Sequence, residues 1–452
     1  MSLPKCMIII FISGLSLIAQ PLPTTCTDSH SENSVDFSQV FSHSFPDKWS
    51  LWIEGPHLRG ANIYQRRVYP NLDGNVFFGA GPMGPPYKQE DFDKLAEWGA
   101  NYVNISYSGF YSENPPYLLD PIVQDGLDRL LDMIEKADMF AVISFRSGPG
   151  RSEFSLYYWK ELDIRFFNDS LWQDAQAQDA WAAMWRYTAE RYRNNPIVVG
   201  YDLMVEPNSN DSGSDYFKDR LDIWEPDEFY NIYKDTLYDW NQLYPRITKA
   251  IREEDPETPI LIGGNSYSGV RWLPFLEPTG DSRTIYTVHQ YEPQEQYTHI
   301  EWYQANFELA TYPGLFDLDW DGKGDRFNRD WLDDLLSTID VFKKAHNAPV
   351  AVNEFGVNRW VENAADFMRD QMELFEQRGL NHAVWEWQPS WAPLAEEDSM
   401  NFRHGPDPHN HTDVGTSALI EVIKQFWRRN QIRPSLMPQT QSGIMDFSIL
   451  NY

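Results

Sequence analysis

Cysteine is almost absent. The 452 residues contain two, Cys6 and Cys26, both close to the N-terminus, which excludes a disulfide framework or a thiolate metal site in the body of the chain. Positive charge is scarce as well. Lys and Arg number 37 against 67 Asp and Glu, a formal net charge of -30. A phosphate backbone would be repelled, so nucleic acid is excluded as a partner, and the acidity reads as a solubility feature. Long apolar runs are missing beyond residue 19. The one run, Met7 to Ala19 behind Lys5, is too short for a membrane span and has the form of a secretory signal peptide, residues 1–19. It predicts a secreted or periplasmic protein. Cys26 is then a candidate lipid-attachment site, although PTTC departs from the small-residue pattern such sites use. Internal linkers are also lacking. Residues 20–45, rich in Ser, Thr, Asp and His, read as a flexible leader, 434–452 as a C-terminal tail, and 46–433 as one large domain, expected to be monomeric.

Aromatic residues, by contrast, make up 15% of the chain and include 18 Trp. Indole faces in a groove suit stacking on sugar rings, but most of these Trp are expected in the core.

Short apolar strands alternate with amphipathic helices. Strands are predicted at residues 58–63, 102–106, 139–145, 197–204, 259–263, 285–289, 349–353 and 382–387. Helices are predicted at 91–98, 122–137, 174–192, within 226–254, and at 331–345, 364–378 and 418–429. The fifth strand is followed by no clear long helix. Eight such units predict an α/β protein with a parallel sheet inside a layer of helices, and the length fits a (β/α)8 TIM barrel. A doubly wound open sheet is the other arrangement, but no GxGxxG follows the first strand.

In a barrel, chemistry sits at the C-terminal ends of the strands. The stretch VVGYDLMVEPN puts Glu206 there on strand four, and Pro207 predicts an extended backbone at Glu206. VNEFG puts Glu354 at the end of strand seven. Two carboxylates facing each other over a groove are what hydrolysis of a glycosidic bond requires, one as proton donor and one as nucleophile. Taken singly, each is equally well a surface Glu of an acidic chain. On strand six, His289 and Tyr291 alternate to the same side. His289 is placed to bond a sugar or the acid, and Tyr291 to orient a carboxylate. On strand eight, Trp385 is expected to floor the mouth and Glu386 to point away into an ion pair. Further aromatic residues crowd the candidate mouth loops: Tyr107, Phe110, Tyr111, Tyr117, Phe154, Tyr157, Tyr158, Trp159, Trp302, Tyr303 and Trp391. For any one of them loop packing is the plainer reading.

LRGANI, SFRSGPG, VVGYDLMVEPN, HQY, VNEFG and VWEW, in this order and spacing, resemble glycoside hydrolase family 5, the cellulase and β-mannanase family of retaining barrel glycosidases. The resemblance spans about Trp49 to Arg433. It implies a single catalytic barrel that needs no cofactor and cuts β-linked poly- or oligosaccharides of the β-glucan or β-mannan type. It implies Glu206 as acid/base, with a raised pKa, and Glu354 as nucleophile. Tyr291 would be the partner of Glu354, with His289 and Trp385 as substrate contacts. Three positions depart from the family pattern: Asn104 where an Arg is usual, Arg146 where a His is usual, and Val205 where an Asn is usual. Asn104 and Arg146 remain substrate-binding candidates, Arg146 as a replacement for the missing cation. A barrel that binds carbohydrate without cutting it is the alternative these departures leave open.

Two loops carry metal-like patterns. Asp317, Asp319, Asp321 and Asp325, with Gly322, resemble a calcium loop, but Asn328 stands where a bidentate Glu is needed. His404, Asp407, His409 and His411 form a cluster in which a polar surface loop competes with a transition-metal site.

Overall fold

The computed structural model describes residues 47–156, 164–213, 219–318 and 321–437. The expected signal segment, leader and both cysteines lie outside these residues, as do Tyr157, Tyr158, Trp159, Asp319 and all but the first residues of the tail.

Eight parallel strands close into a barrel: β1 (Arg59–Arg67), β2 (Tyr102–Ser108), β3 (Phe140–Ser147), β4 (Val198–Asp202), β5 (Ile260–Gly263), β6 (Thr284–Gln290), β7 (Val350–Phe355) and β8 (His382–Val384). Each pairs with the next, and β8 closes on β1 through Arg59↔His382 and Ala61↔Val384. The TIM barrel read from the alternation of elements is thus the fold, and the open doubly wound sheet is not. Strand eight ends at Val384 rather than 387, and strand four at Asp202 rather than 204.

The helices form because apolar residues recur at helical spacing behind good caps. In α2 (Pro121–Lys136), with α1 at Gln89–Glu97, the Asp120 side chain accepts from the Ile122 and Val123 N–H groups. Leu127, Leu130, Leu131 and Ile134 are buried. α3 is Ala175–Tyr192 and α4 is Trp240–Arg252. A separate short helix at Pro226–Tyr233 splits what the sequence suggested as one segment. The unit after β5 has only a 3-10 turn, Val270–Phe275. α5 (Arg329–His346), α6 (Ala364–Gln377) and α7 (Ala418–Trp427) complete the ring. Among the described residues no helix is long and apolar enough to cross a membrane.

The barrel interior is layered. At the bottom, Trp52, Tyr102, Phe140, Val142, Val199, Leu261, Ile285, Ala351 and Ala383 form an apolar plug. Above it lies a buried polar layer. Asn104 donates to Asn62 Oδ1 (2.7 Å) and the Asn353 carbonyl (3.2 Å), Ser144 to Asn104 Oδ1 (2.7 Å), and Asn353 to Asp202 Oδ2 (2.8 Å). A polar network is stable in such a place only when its members satisfy each other. It is the platform on which the mouth residues stand.

Candidate active site at the barrel mouth

Strand alternation aims most of the site. Ile285, Thr287 and His289 share one side of β6, and Ile285 belongs to the interior plug, so His289 also points inward, nearly buried at 5% exposure. Alternation alone would turn either Asn353 or Glu354 outward. The register between β7 and β6 instead shifts by one residue, Val352↔Val288 but Glu354↔His289. This bulge lets both side chains face in: Asn353 bonds Asp202 below, and Glu354 rises to the mouth. β4 carries a comparable shift, Ala141↔Val198 but Val142↔Gly200, which brings Asp202 to the interior side.

Glu206, His289 and Glu354 converge. His289 Nδ1 lies 2.9 Å from Glu206 Oε1 and 3.7 Å from Glu354 Oε1. A carboxylate oxygen of Glu206 and one of Glu354 are within 4.8 Å of each other. Tyr291 donates to Glu354 Oε1 at 2.9 Å. The two Glu residues that the sequence offered separately therefore form one constellation.

The backbone at Glu206 is not extended, as Pro207 suggested, but left-handed, with φ 54°. A side chain-bearing residue adopts this region at a cost of about 1–2 kcal/mol. Arg151 holds it there. The fully buried guanidinium donates from Nη1 to the Val205 carbonyl (2.8 Å) and from Nη2 to the Glu206 carbonyl (2.7 Å). From the other side Trp181 and Trp185 of α3 donate their indole N–H groups to the Leu203 carbonyl, at 3.2 and 2.8 Å. Nothing in the spacing of SFRSGPGR distinguished Arg151 from a surface residue; its role depends on a turn that local propensity disfavours.

The charges of the site differ from the expected ones. Burial raises the Glu206 carboxyl, but the His289 hydrogen bond and the positive charges of His289, Arg146 and Arg151 outweigh it and hold the pKa below its usual value. Glu354 is pushed up to about 7 by burial and by the neighbouring Glu206, against the pull of His289. His289 itself is raised to about 9, its burial outweighed by the two carboxylates. The expectation of a raised Glu206 is thus reversed in the free site. Two carboxylates this close, with His289 between them, titrate as one coupled set.

The comparisons with known proteins bear on this geometry. A family model described as Cellulase (glycosyl hydrolase family 5) matches residues 63–390. The chain belongs to glycosyl hydrolase family 5. It is therefore a glycosidase. Endoglucanase C of Acetivibrio thermocellus is 23% identical over 333 residues, covering 69% of this chain and 86% of that protein. Among solved structures, endoglucanase Cel5A of Thermotoga maritima has 20% identity and a TM-score of 0.55 over 84% of this chain and 100% of that one. The same Thermotoga enzyme with mannotriose has a TM-score of 0.54 at 20% identity, covering 81% of this chain and 97% of that one. These likenesses show the shared barrel.

Where this family 5 member departs from the pattern, the structure gives each residue a place. Arg146 lies at the mouth, beneath the aromatic residues: it donates to Ser106 (3.0 Å), pairs with the fully buried Glu153 (3.4 Å), and lies 4.7 Å from the Tyr64 ring and 5.7 Å from that of Trp385. Glu153 is held in turn by Ser108 and Ser147, each at 2.9 Å. Asn104 is not a mouth residue. At 2% exposure it is committed to the interior network, so its assignment as a substrate contact is corrected. Val205 is buried and offers its carbonyl to Arg151 rather than a polar side chain to the groove. Trp385 is half-buried at the mouth while Trp387 is fully buried, a difference strand alternation does not impose, since both lie beyond the end of β8 at Val384. Glu386 accepts from Gln388 at 2.7 Å. His299, which the sequence did not single out, packs its ring 4.9 Å from Tyr291, and burial lowers its pKa to about 4, so it is neutral.

Of the mouth-loop aromatics, Tyr107, Phe110 and Phe154 are core residues, whereas Trp302 and Tyr303 are exposed. The expected calcium set is not assembled among the described residues. Asp317 accepts from the Gly322 N–H, Asp325 from the Leu318 N–H, and Asp321 pairs with Lys323. The described acids of the loop thus serve its own turns. The second cluster is also rearranged: His404 and His411 gather on Asp398 rather than with Asp407 and His409. The buried Arg359 donates to both Asp398 oxygens at 3.1 Å, which neutralises the one carboxylate a cation would need.

Proposed function

We propose that this glycosidase is an exported, monomeric, retaining enzyme that cleaves β-linked glucan or mannan chains without a cofactor. The observation that carries the reading is the approach of the Glu206 and Glu354 carboxylates within 4.8 Å, with His289 bridging them. Retaining glycosidases hold their carboxyl groups about 5–5.5 Å apart, and inverting ones leave about 6.5–9.5 Å for a water. The substrate class is supported by the endoglucanases among the relatives and by the mannotriose complex of a neighbouring fold.

In the first step a Glu354 oxygen attacks the anomeric carbon while Glu206 gives its proton to the departing glycosidic oxygen. The bond to the leaving sugar breaks and an ester to Glu354 forms. In the second step Glu206 takes a proton from water, the water oxygen attacks the same carbon, and Glu354 leaves as carboxylate. Glu206 is held low in the free site and must gain a proton before the first step. His289, within reach of both, is the group that transfers it, and Tyr291 stabilises the Glu354 carboxylate that results.

Azide tests both roles at once. In Glu354→Ala, azide attacks the substrate directly and gives a glycosyl azide of inverted configuration. In Glu206→Ala, with an activated aryl glycoside, azide intercepts the glycosyl-enzyme and gives the retained one. NMR of the first product of the native enzyme should show a β-anomer. An α-anomer, or the same azide from both variants, overturns the assignment.

A further inference from the structure

A cavity of about 470 Å3 opens among the loops that follow β6, β7 and β8, and none of its lining residues belongs to the catalytic constellation. Its walls include Trp302, Tyr303, Trp360, Glu301, Asp398 and His409. The volume is that of a small-ligand site.

Its construction is specific. Trp302 is 40% and Tyr303 70% exposed, although large aromatic residues ordinarily bury themselves. Their rings meet edge to face, with centroids 5.5 Å apart at 87°, and the Trp302 ring is braced at 4.8 Å by His409. Trp360 is fixed by its indole N–H to the Ile300 carbonyl (3.0 Å) and by the Arg359 guanidinium 5.1 Å from its ring. The Asp398 carboxylate on the wall is locked by Arg359. His411 Nδ1 lies 3.3 Å from Asp398 Oδ2. Rigid aromatic faces next to fixed acceptors and imidazoles suit a ligand that has an apolar CH face and a rim of hydroxyls. An anion would meet the carboxylates of Glu301 and Asp398, and a cation would compete with Arg359. A neutral pyranose meets neither penalty.

The position links the cavity to the reaction. Glu301 and Trp302 follow His299, which packs on Tyr291, and Trp360 follows Glu354 out of the same strand. We propose that this cavity is an accessory subsite that binds a sugar unit of the substrate chain away from the bond being cleaved, with Trp302 and Tyr303 as its stacking surface. The proposal rests on the reading of the protein as a β-glucan or β-mannan glycosidase. It adds that long chains gain affinity outside the catalytic centre.

The test compares the native enzyme with a Trp302→Ala/Tyr303→Ala variant on cellohexaose, mannohexaose and an aryl β-glucoside. KM for the better hexasaccharide should rise about tenfold, while kcat/KM for the aryl glucoside stays within twofold. A Trp302→Phe/Tyr303→Phe variant should recover most of the loss. Equal effects on long and short substrates, or no effect on either, overturn the proposal. Calorimetric titration of Glu354→Ala with both hexasaccharides separates the two readings. If binding is seen and the double substitution weakens it about tenfold, the subsite stands even if native turnover is absent and the catalytic reading falls. If neither hexasaccharide binds, or both bind equally with and without the two aromatic residues, the subsite is refuted whatever the turnover.

Discussion

Replacing Arg151 should separate the placement of Glu206 from its chemistry. Arg151 makes two charge-assisted hydrogen bonds to consecutive carbonyls, Val205 and Glu206. Each contributes about 1.5–3 kcal/mol, enough together to offset the roughly 1–2 kcal/mol of the left-handed turn. In Arg151→Met the turn is free to relax, and a shift of about 1 Å in the Glu206 carboxyl costs about 100-fold in rate. Stability falls too. The Val205 and Glu206 carbonyls lose their buried donor, at about 1–3 kcal/mol for each group left unsatisfied. Arg151→Lys keeps the charge but not the two-pronged geometry and should lie between. The informative assay uses aryl glycosides of differing leaving group. If Arg151 acts by placing the proton donor, the loss in kcat/KM is large, about 100-fold, for a poor leaving group. It is small for a dinitrophenyl glycoside, whose departure needs no proton. Equal losses on both substrates, or full activity in Arg151→Met, would refute the reasoning.

Three further outcomes follow from the same geometry. His289 carries a positive charge between two carboxylates and pulls both of their pKa values down. His289→Asn should move the alkaline limb of the kcat/KM–pH profile upward from about 7 while lowering its maximum; an unmoved limb would show that His289 does not couple to the pair. Asn104→Ala breaks the interior network and leaves the buried polar groups of Asn62 and Ser144 short of a partner. It should lower the unfolding free energy measured by denaturant titration, by about 1–3 kcal/mol for each group stranded, and leave KM within twofold; a raised KM on a stable variant would return Asn104 to the mouth. Asp202 is raised to about 7 by burial. A carboxyl whose folded pKa is raised supports folding fully below its ordinary value of 3.8 and loses that contribution as pH rises through about 7. His289, raised to about 9, loses its contribution above 6.5 in the same sense. The protein should therefore unfold more readily at pH 9 than at pH 5 in urea titrations, and Asp202→Asn should flatten the part of that slope below pH 8.

The barrel was legible because its signals are periodic. Leu127, Leu130, Leu131 and Ile134 repeat at helical spacing, and the strand runs are apolar on both faces, as a sheet covered by helices demands. Glu206, His289, Tyr291, Glu354 and Trp385 were legible because each ends a strand at the face where such barrels work. What escaped was whatever depends on contact between distant segments or on a break in alternation. Asn104 sits at a strand position that reads as pointing into the mouth, and only the depth of the polar layer shows that it stops short. The bulge that lets Asn353 and Glu354 face the same way has no residue signature. Arg151 bonds residues about fifty positions on, a partnership that no local pattern encodes.

These hidden contacts bear on how a divergent member of family 5 keeps a working centre. Val205 cannot hold a substrate hydroxyl, so the family's usual contact beside the acid/base is missing. In its place the chain spends a buried arginine on the backbone of the same two residues. Arg151 and Arg146 both lower the Glu206 carboxyl, and His289 adds a third positive charge. Within a molecule of net charge -30, the reaction centre is therefore an island where cations outnumber the two central carboxylates. Such an island favours an ionised Glu206 in the free enzyme and makes its protonation depend on what substrate binding displaces. Proton placement would then be coupled to occupancy of the mouth. The alkaline limb of kcat, which reports the bound complex, should consequently lie above that of kcat/KM, which reports the free enzyme. Coincident limbs would show that the proton is already on Glu206 before substrate arrives.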